Sequence, residues 1–300
     1  MIAFDPAGST SLDDTGFAQN TLYATAGTLS LTRVAAVEVN GLFNEGFFGS
    51  GAKIGLVGYN TSAYTNAISS ALKPALAAHG LKLADEQLVA PVTSLADIAA
   101  TDQSVADAVL RFKSEGINHV IFLDNEGGTV NPWTKAAIAQ KYFPRLGLTT
   151  NEMPSEQSYL GNPTNPDQVQ EFSTALGLGW SPGTDEGNAP VNATGQLCDS
   201  IMEAAGASAA QAKLFWNVCD QLLAFSAGVN AGGQLTAKDA LAGLADAKSL
   251  QSAELASAPD YAGGRRDGVG SVRDLSFAMK CECFQYSSGP VSVQSLLTNG

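Results

Sequence analysis

The chain has 300 residues, 45% of them hydrophobic and only 15% charged, enough to bury one large core or two modest ones at the ~100–200 residues a domain usually takes. Its 29 acidic and 16 basic residues give a formal charge of −13, which repels phosphate backbones and anionic lipid and so disfavours nucleic acid and membrane partners. No apolar run approaches the ~18 residues of a spanning helix, and "MIAFDPAGST" lacks the basic and apolar regions of a secretory signal.

At the front, "MIAFDP", then "TLYATA", then a helix over 30–48 predict strands leading into a crossover. From Lys53 the pattern becomes regular. "KIGLVG" (53–58) precedes a helix over 64–79, and "LKLADEQLV" (81–89) precedes one over 103–115. "NHVIFLD" (118–124) leads into the helix "NPWTKAAIAQKYF", with Pro132 suited to its first turn, and "RLGLTT" (145–150) follows as a short strand. Strands separated by single amphipathic helices mark right-handed βαβ crossovers and a mostly parallel sheet covered on both faces. Residues 151–190, rich in Pro, Gly and Asn, hold one predicted strand, "ALGLGW" (175–180), beside a short helix over 166–173. Three helices without intervening strands come next: "ATGQLCDSIMEAAG", "AAQAKLFWNVCDQLLAFSAGV" and "TAKDALAGLAD", the last with Thr236 as N-cap. The tail "SVRDLSFAMKCECFQYSSG" returns to period two, as an antiparallel pair or one long strand.

Ligands of open parallel sheets bind outside the carboxyl ends of the strands, where the connections diverge. Three polar loops share that rim here: Tyr59 to Tyr64, Asp124-Asn125-Glu126-Gly127-Gly128-Thr129, and Thr149-Thr150-Asn151-Glu152. Asp, Asn, Gly and Thr also serve any strand-to-helix loop as turn and cap residues, so it is the sharing of one rim that points to a site. Aromatic faces, hydroxyls, amides and the carboxylates Asp124, Glu126 and Glu152 suit a small polar ligand that carries an amine.

Other chemistries find little support. "GLVGYNTSAY" has neither of the glycine patterns that cradle phosphates after a first strand. A Ser or Cys nucleophile needs a His base, and the two histidines, His79 at a helix end and His119 at the foot of a strand, lie far from the rim. A pair of carboxylates could do acid and base work, which leaves a hydrolase as an alternative. The cysteines match no zinc pattern, and neither metal nor cofactor is expected. Cys198 and Cys219 fall in consecutive helical segments joined by "GASAAQ", and antiparallel pairing of these predicts a disulfide. Cys281 and Cys283 lie two apart, near the distance limit for a bridge; they either form one through a local bulge or stay as thiols. Bridges of this kind imply an oxidising compartment.

The order of "DPAGSTS", "LYATAGTLSLTRVAAVEVNGLF", "GAKIGLVGYNTSAYTNAISSALKPALAAHG", "VADAVLRFKSEGINHVIFLDN", "ALGLGW" and "NVCDQLLAFSAGV" resembles the type I periplasmic binding proteins of the branched-chain amino acid receptor kind. These are the substrate-binding subunits of ABC importers. The resemblance implies two α/β lobes with doubly wound parallel sheets, joined by a hinge that closes on a ligand. It places residues 1–49 and 185–257 in the first lobe and 50–184 with 258–300 in the second. By the same resemblance Ala7, Gly8 and Ser9 hold a ligand carboxylate, and Tyr64 flanks the ligand from the other lobe. Asp124, Asn125 and Glu126 line the cleft, and Asn151 or Glu152 takes the ammonium. Family members carry a signal peptide and further βα units before the segment that resembles "MIAFDPAGSTS", so the chain is expected to be N-terminally truncated, with an incomplete first lobe. The expected partners are a small amino-acid-like or amide ligand and an ABC transporter permease, in an extracytoplasmic setting and without enzymatic activity. The alternative is a ligand-sensing regulatory domain of the same fold.

Overall fold

The computed structural model describes residues 3–4, 12–19, 23–92, 94–160, 166–186, 189–208, 212, 215–234, 236–247 and 250–298. At the front, β1 (Ala3–Phe4) and β2 (Tyr23–Ala24) pair in parallel as a small separate sheet. The main sheet has eight strands. β3 (Ile54–Tyr59), β4 (Leu83–Val89), β5 (His119–Leu123), β6 (Arg145–Thr149) and β7 (Leu176–Gly179) lie in the spatial order β4-β3-β5-β6-β7, all parallel. β8 (Ser271–Ala278) runs antiparallel to β7, and its outer edge is shared by β9 (Cys283–Tyr286) and β10 (Val291–Ser292). The tail is therefore an antiparallel pair, the first of the two forms its pattern allows.

Helices cover both faces, as the continuous apolar run of β3 requires of a parallel strand. Helices Leu31–Asn44 and Val293–Thr298 and the helical segment 62–78 group together on one side; helices Leu95–Glu115, Val130–Ala139, Pro154–Leu160 and Pro166–Phe172 group on the other. Helix Leu31–Asn44, expected with residues 1–49 in the first lobe, packs instead against this sheet. Gly41 lets its backbone approach Leu178 of β7, and Leu42 meets Gly147 of β6. Its stripe Val34, Ala35 and Leu42 joins the single large core with Leu56, Ile121, Leu146 and Leu178.

Two element boundaries depart from the sequence pattern for local reasons. Helix Leu95–Glu115 starts eight residues before the expected 103, because Ser94 and Asp97 form a capping box ahead of it. The turn it adds carries Leu95 and Ile98 on its exposed side, which hides it from a periodicity reading. Within 62–78, residues Ile68–Leu72 form a π-helical turn that ends one residue short of Pro74. Proline has no N–H to give and crowds the preceding turn, and a π turn absorbs both.

The helices Ala193–Ala204, Trp216–Gly232 and Ala237–Asp246 are served by two small cores. One holds Ala24, Ala26, Ala224, Leu244, Leu250 and Tyr261, and the other Cys198, Trp216 and Ala253. A disulfide joins Cys198 to Cys219 across the first two of these helices, as their order in the sequence predicts. A second joins Cys281 to Cys283 at the turn between β8 and β9. No helix among the described residues is long and apolar enough to cross a membrane.

Candidate functional site

β3 and β5 are neighbours, yet the connection after β3 runs outward to β4 and the connection after β5 runs the other way to β6, which opens a crevice at the carboxyl ends of β3 and β5. Tyr59 ends β3 and Asp124 follows β5, both at this switch point. The Tyr59 and Tyr64 rings meet edge to face with centroids 5.2 Å apart. Gly127 has φ +64, a backbone that side chains rarely adopt, and a Cβ at Gly128 would fall 2.0 Å from the Tyr59 hydroxyl. The glycine pair thus lets the 124–129 loop close over Tyr59.

Asp124 is fully buried and holds that loop together. Its Oδ2 accepts from the Thr129 amide at 2.6 Å, the Thr129 hydroxyl at 2.7 Å and the Val130 amide at 3.3 Å. It therefore caps helix Val130–Ala139, whose own N-cap, Thr129, makes no side-chain cap bond. Its Oδ1 has no partner. Glu152 is equally buried, and its Oε2 accepts from the Thr149 amide at 2.5 Å and hydroxyl at 2.7 Å. Its Oε1 accepts from the Asp124 amide at 3.4 Å, and the Gly127 amide donates to the Asn151 carbonyl at 3.1 Å. The second and third rim loops are thus bonded to each other.

The structure brings Tyr64, Asp124, Asn151 and Glu152 together as buried residues, with Asn125 half-buried and Glu126 exposed at the loop crest. Ala7, Gly8 and Ser9 lie outside the described residues. Near the other side of the rim, the Asn66 amide donates to Asp13 Oδ2 at 3.2 Å, so residues 12–19 touch the helix that begins at Ser62. His79 bonds Asn40 at 2.8 Å and stacks on Phe43, and His119 lies at the opposite end of β5 from Asp124.

Sequence reasoning missed Glu38 and Asp185. Glu38 is fully buried on helix Leu31–Asn44 and neither of its oxygens has a hydrogen-bond partner. It sits four residues after Val34 and four before Leu42, so an acid on the apolar stripe was a legible signal. Asp185 follows β7; its Oδ2 accepts from the Thr150 hydroxyl at 3.0 Å, the Ser181 amide at 2.9 Å and the Tyr286 hydroxyl at 2.6 Å. Beside it, Glu254 accepts from the Ser181 hydroxyl at 3.5 Å. The carboxyl ends of β5, β6 and β7 are thus followed by Asp124, Glu152 and Asp185. Among the described residues, no salt bridge reaches these three, Glu38 or Glu254.

Burial without a cation raises every one of these acids. It pushes Asp124 up to about 6 against the pull of the Thr129 and Val130 hydrogen bonds. Burial raises Glu152 well above the usual carboxylate range, the Asp124 and Glu38 charges add to this, and the Thr149 bonds oppose it. Glu38 is raised by burial, lowered in part by the nearby Phe122 backbone and raised further by Asp124. Asp185 rises by burial to about 7 and Glu254 to about 8. Such a rim favours a cation. No group of three metal-ligating side chains occurs among the described residues. A separate open groove of about 420 Å³ runs along the amino-terminal half of β4, between Lys73, Leu76, Leu81 and Leu83, away from this rim.

No protein-family model matches the sequence, and no curated protein matches it. Solved structures do match the fold. A branched-chain amino acid ABC transporter protein from Thermus thermophilus with bound valine is 16% identical, with a TM-score of 0.63 over 94% of this chain and 70% of its own. A solute-binding protein of an ABC transporter from Rhodopseudomonas palustris HaA2, in complex with p-hydroxybenzoic acid, is 10% identical, with a TM-score of 0.65 over 94% and 70%. A fatty acid ABC transporter substrate-binding protein from Thermomonospora curvata is 12% identical, with a TM-score of 0.65 over 100% and 71%. The chain therefore has the type I periplasmic binding protein fold, as its order of segments implies, and it is shorter than these structures.

Proposed function

We propose that the chain is the solute-binding component of an ABC importer, a non-enzymatic protein that captures a small amino-acid-like or amide ligand between two lobes outside the cytoplasm. One lobe is built on the eight-stranded sheet with helix Leu31–Asn44, and the other contains residues 185–257 with the segment around Ala24 and Ala26. A permease would receive the ligand. The observation that carries this reading is the convergence of three rim loops at the switch point, with Asp124 and Glu152 buried and unpaired by any cation among the described residues. Tyr64 offers a flat apolar wall, Asn151 and Asn125 offer amides, and exposed Glu126 stands where an incoming ammonium first meets the loop. Ala7, Gly8 and Ser9 would hold the ligand's carboxylate from the facing lobe. The ligands named for two of the similar structures, valine and p-hydroxybenzoic acid, are small carboxylates.

A thermal-shift screen of amino acids, their amides and amine-free carboxylic acids tests the reading. A ligand at 100 times its dissociation constant adds about 2.7 kcal/mol of stability. Amine-bearing ligands should stabilise, and Glu126→Gln should weaken them about tenfold more than it weakens amine-free acids. Stabilisation by amine-free acids alone, untouched by Glu126→Gln, would refute the charge argument.

A further inference from the structure

We propose that Cys281–Cys283 is a thiol–disulfide exchange site, opened by dithiol reductants while the protein stays folded, whereas Cys198–Cys219 is a structural bridge. Three observations separate the two. Cys281 is exposed at the β8–β9 turn, so its sulfur can be approached; Cys198 is 2% exposed and packs with Trp216 and Ala253. The sequence separation is 2 for the turn bridge against 21 for the helix bridge, and a cross-link that closes so small a loop removes little freedom from the unfolded chain. Between the two turn cysteines, Glu282 has φ +52, a left-handed backbone that a residue with a Cβ resists. Opening the bridge frees the turn to relax.

The hairpin does not depend on that bridge for its register. β9 stays paired to β8 through Leu275↔Tyr286, Ser276↔Gln285 and Phe277↔Phe284. Phe284 is fully buried against Phe172 and Phe277, with ring centroids 5.4 and 5.3 Å away. Further along, the Tyr286 hydroxyl donates to Asp185 and its amide to Glu186, which anchors the far end of β9.

A thiolate of the dithiol attacks the exposed Cys281 sulfur, the Cys281–Cys283 bond breaks, and Cys283 leaves as a thiolate that takes a proton. The second thiol of the reductant then attacks the mixed disulfide and releases Cys281 as a thiol. The dithiol is oxidised to its disulfide, and two electrons and two protons pass to the protein.

The test uses the oxidised full chain, graded dithiothreitol, alkylation of free thiols and peptide mapping, with circular dichroism followed in parallel. Cys281 and Cys283 should become alkylated at roughly tenfold lower reductant than Cys198 and Cys219, with the spectrum unchanged. Parallel labelling of all four, or labelling of the turn pair only once the spectrum is lost, would overturn the proposal. Single variants test which sulfur is open to exchange. With oxidised glutathione, Cys281 in Cys283→Ser should form a mixed disulfide about tenfold faster than Cys283 in Cys281→Ser, because Cys283 is buried. Equal or reversed rates would remove Cys281 as the point of attack.

Discussion

Glu38 shows what a single side chain can contribute against its own fold. It lies on the apolar stripe of helix Leu31–Asn44 with no hydrogen bond to either oxygen, and burial raises it well above its ordinary value. A group raised in the folded state contributes stability that is complete below its unfolded pKa, about 4.3 for Glu, and lost as pH rises through its folded value. Its cost therefore appears at high pH. Glu38→Gln should stabilise the protein by roughly 1–2 kcal/mol near pH 8 and leave it nearly unchanged near pH 5, as read by urea denaturation at both. Equal effects at the two pH values would show that Glu38 keeps its charge compensated. At this scale the sequence was partly legible. Asp124 and Glu152 stand out because they end apolar runs, and a polar residue at a strand end is conspicuous. Their capping work is invisible in sequence, because the donors are backbone amides of Thr129, Val130 and Thr149. Glu38 and Asp185 were overlooked because a helix pattern is read for its apolar members and a Pro/Gly-rich loop for its turns.

Among elements, the 124–129 loop is closely packed on Tyr59. The Tyr59 hydroxyl occupies the space a Gly128 side chain would need, so Gly128→Ala must displace either the ring or the loop. Overpacking of this kind costs about 1–3 kcal/mol, and the loss should shrink in Tyr59→Phe, which lacks the hydroxyl. A double-mutant cycle by thermal denaturation measures the coupling; purely additive losses would mean that the loop yields elsewhere. The parallel strands were legible at this scale because continuous apolar runs separated by amphipathic helices leave few arrangements. What escaped was the allegiance of helix Leu31–Asn44, since its sequence neighbours are the short strands at the front while its apolar stripe fits the larger sheet. Periodicity reports that a helix has a buried face and not which surface buries it.

The molecule as a whole carries its acids in a way that should make it stronger in mild acid. Asp124, Asp185 and Glu254 rise by burial to about 6, about 7 and about 8, so the folded state holds protons that the unfolded chain has released. Each such group adds stability below its unfolded pKa and loses it as pH climbs through its folded value, so the melting temperature should fall between about pH 5 and about pH 8. A maximum near pH 8 would contradict the shared direction of these shifts. The cores are also unequal. One large cluster unites both faces of the eight-stranded sheet, while the helices Ala193–Ala204, Trp216–Gly232 and Ala237–Asp246 rest on two small ones. Those helices leave Leu197, Ile201 and Leu222 more than half exposed, and Phe225 is 40% exposed. Burial of apolar surface is the main stabilising contribution, so opening should begin there and leave the sheet intact. Native-state hydrogen exchange should therefore protect β3 to β7 more strongly than these helices. Replacing Cys198 and Cys219 together by Ser should lower protection in the first two helices by roughly 3 kcal/mol, the entropy of the loop they close, and leave the sheet unchanged. Uniform protection across the chain, or equal loss in sheet and helices after the replacement, would mean that the two bodies unfold as one and that the small cores are not its weak point.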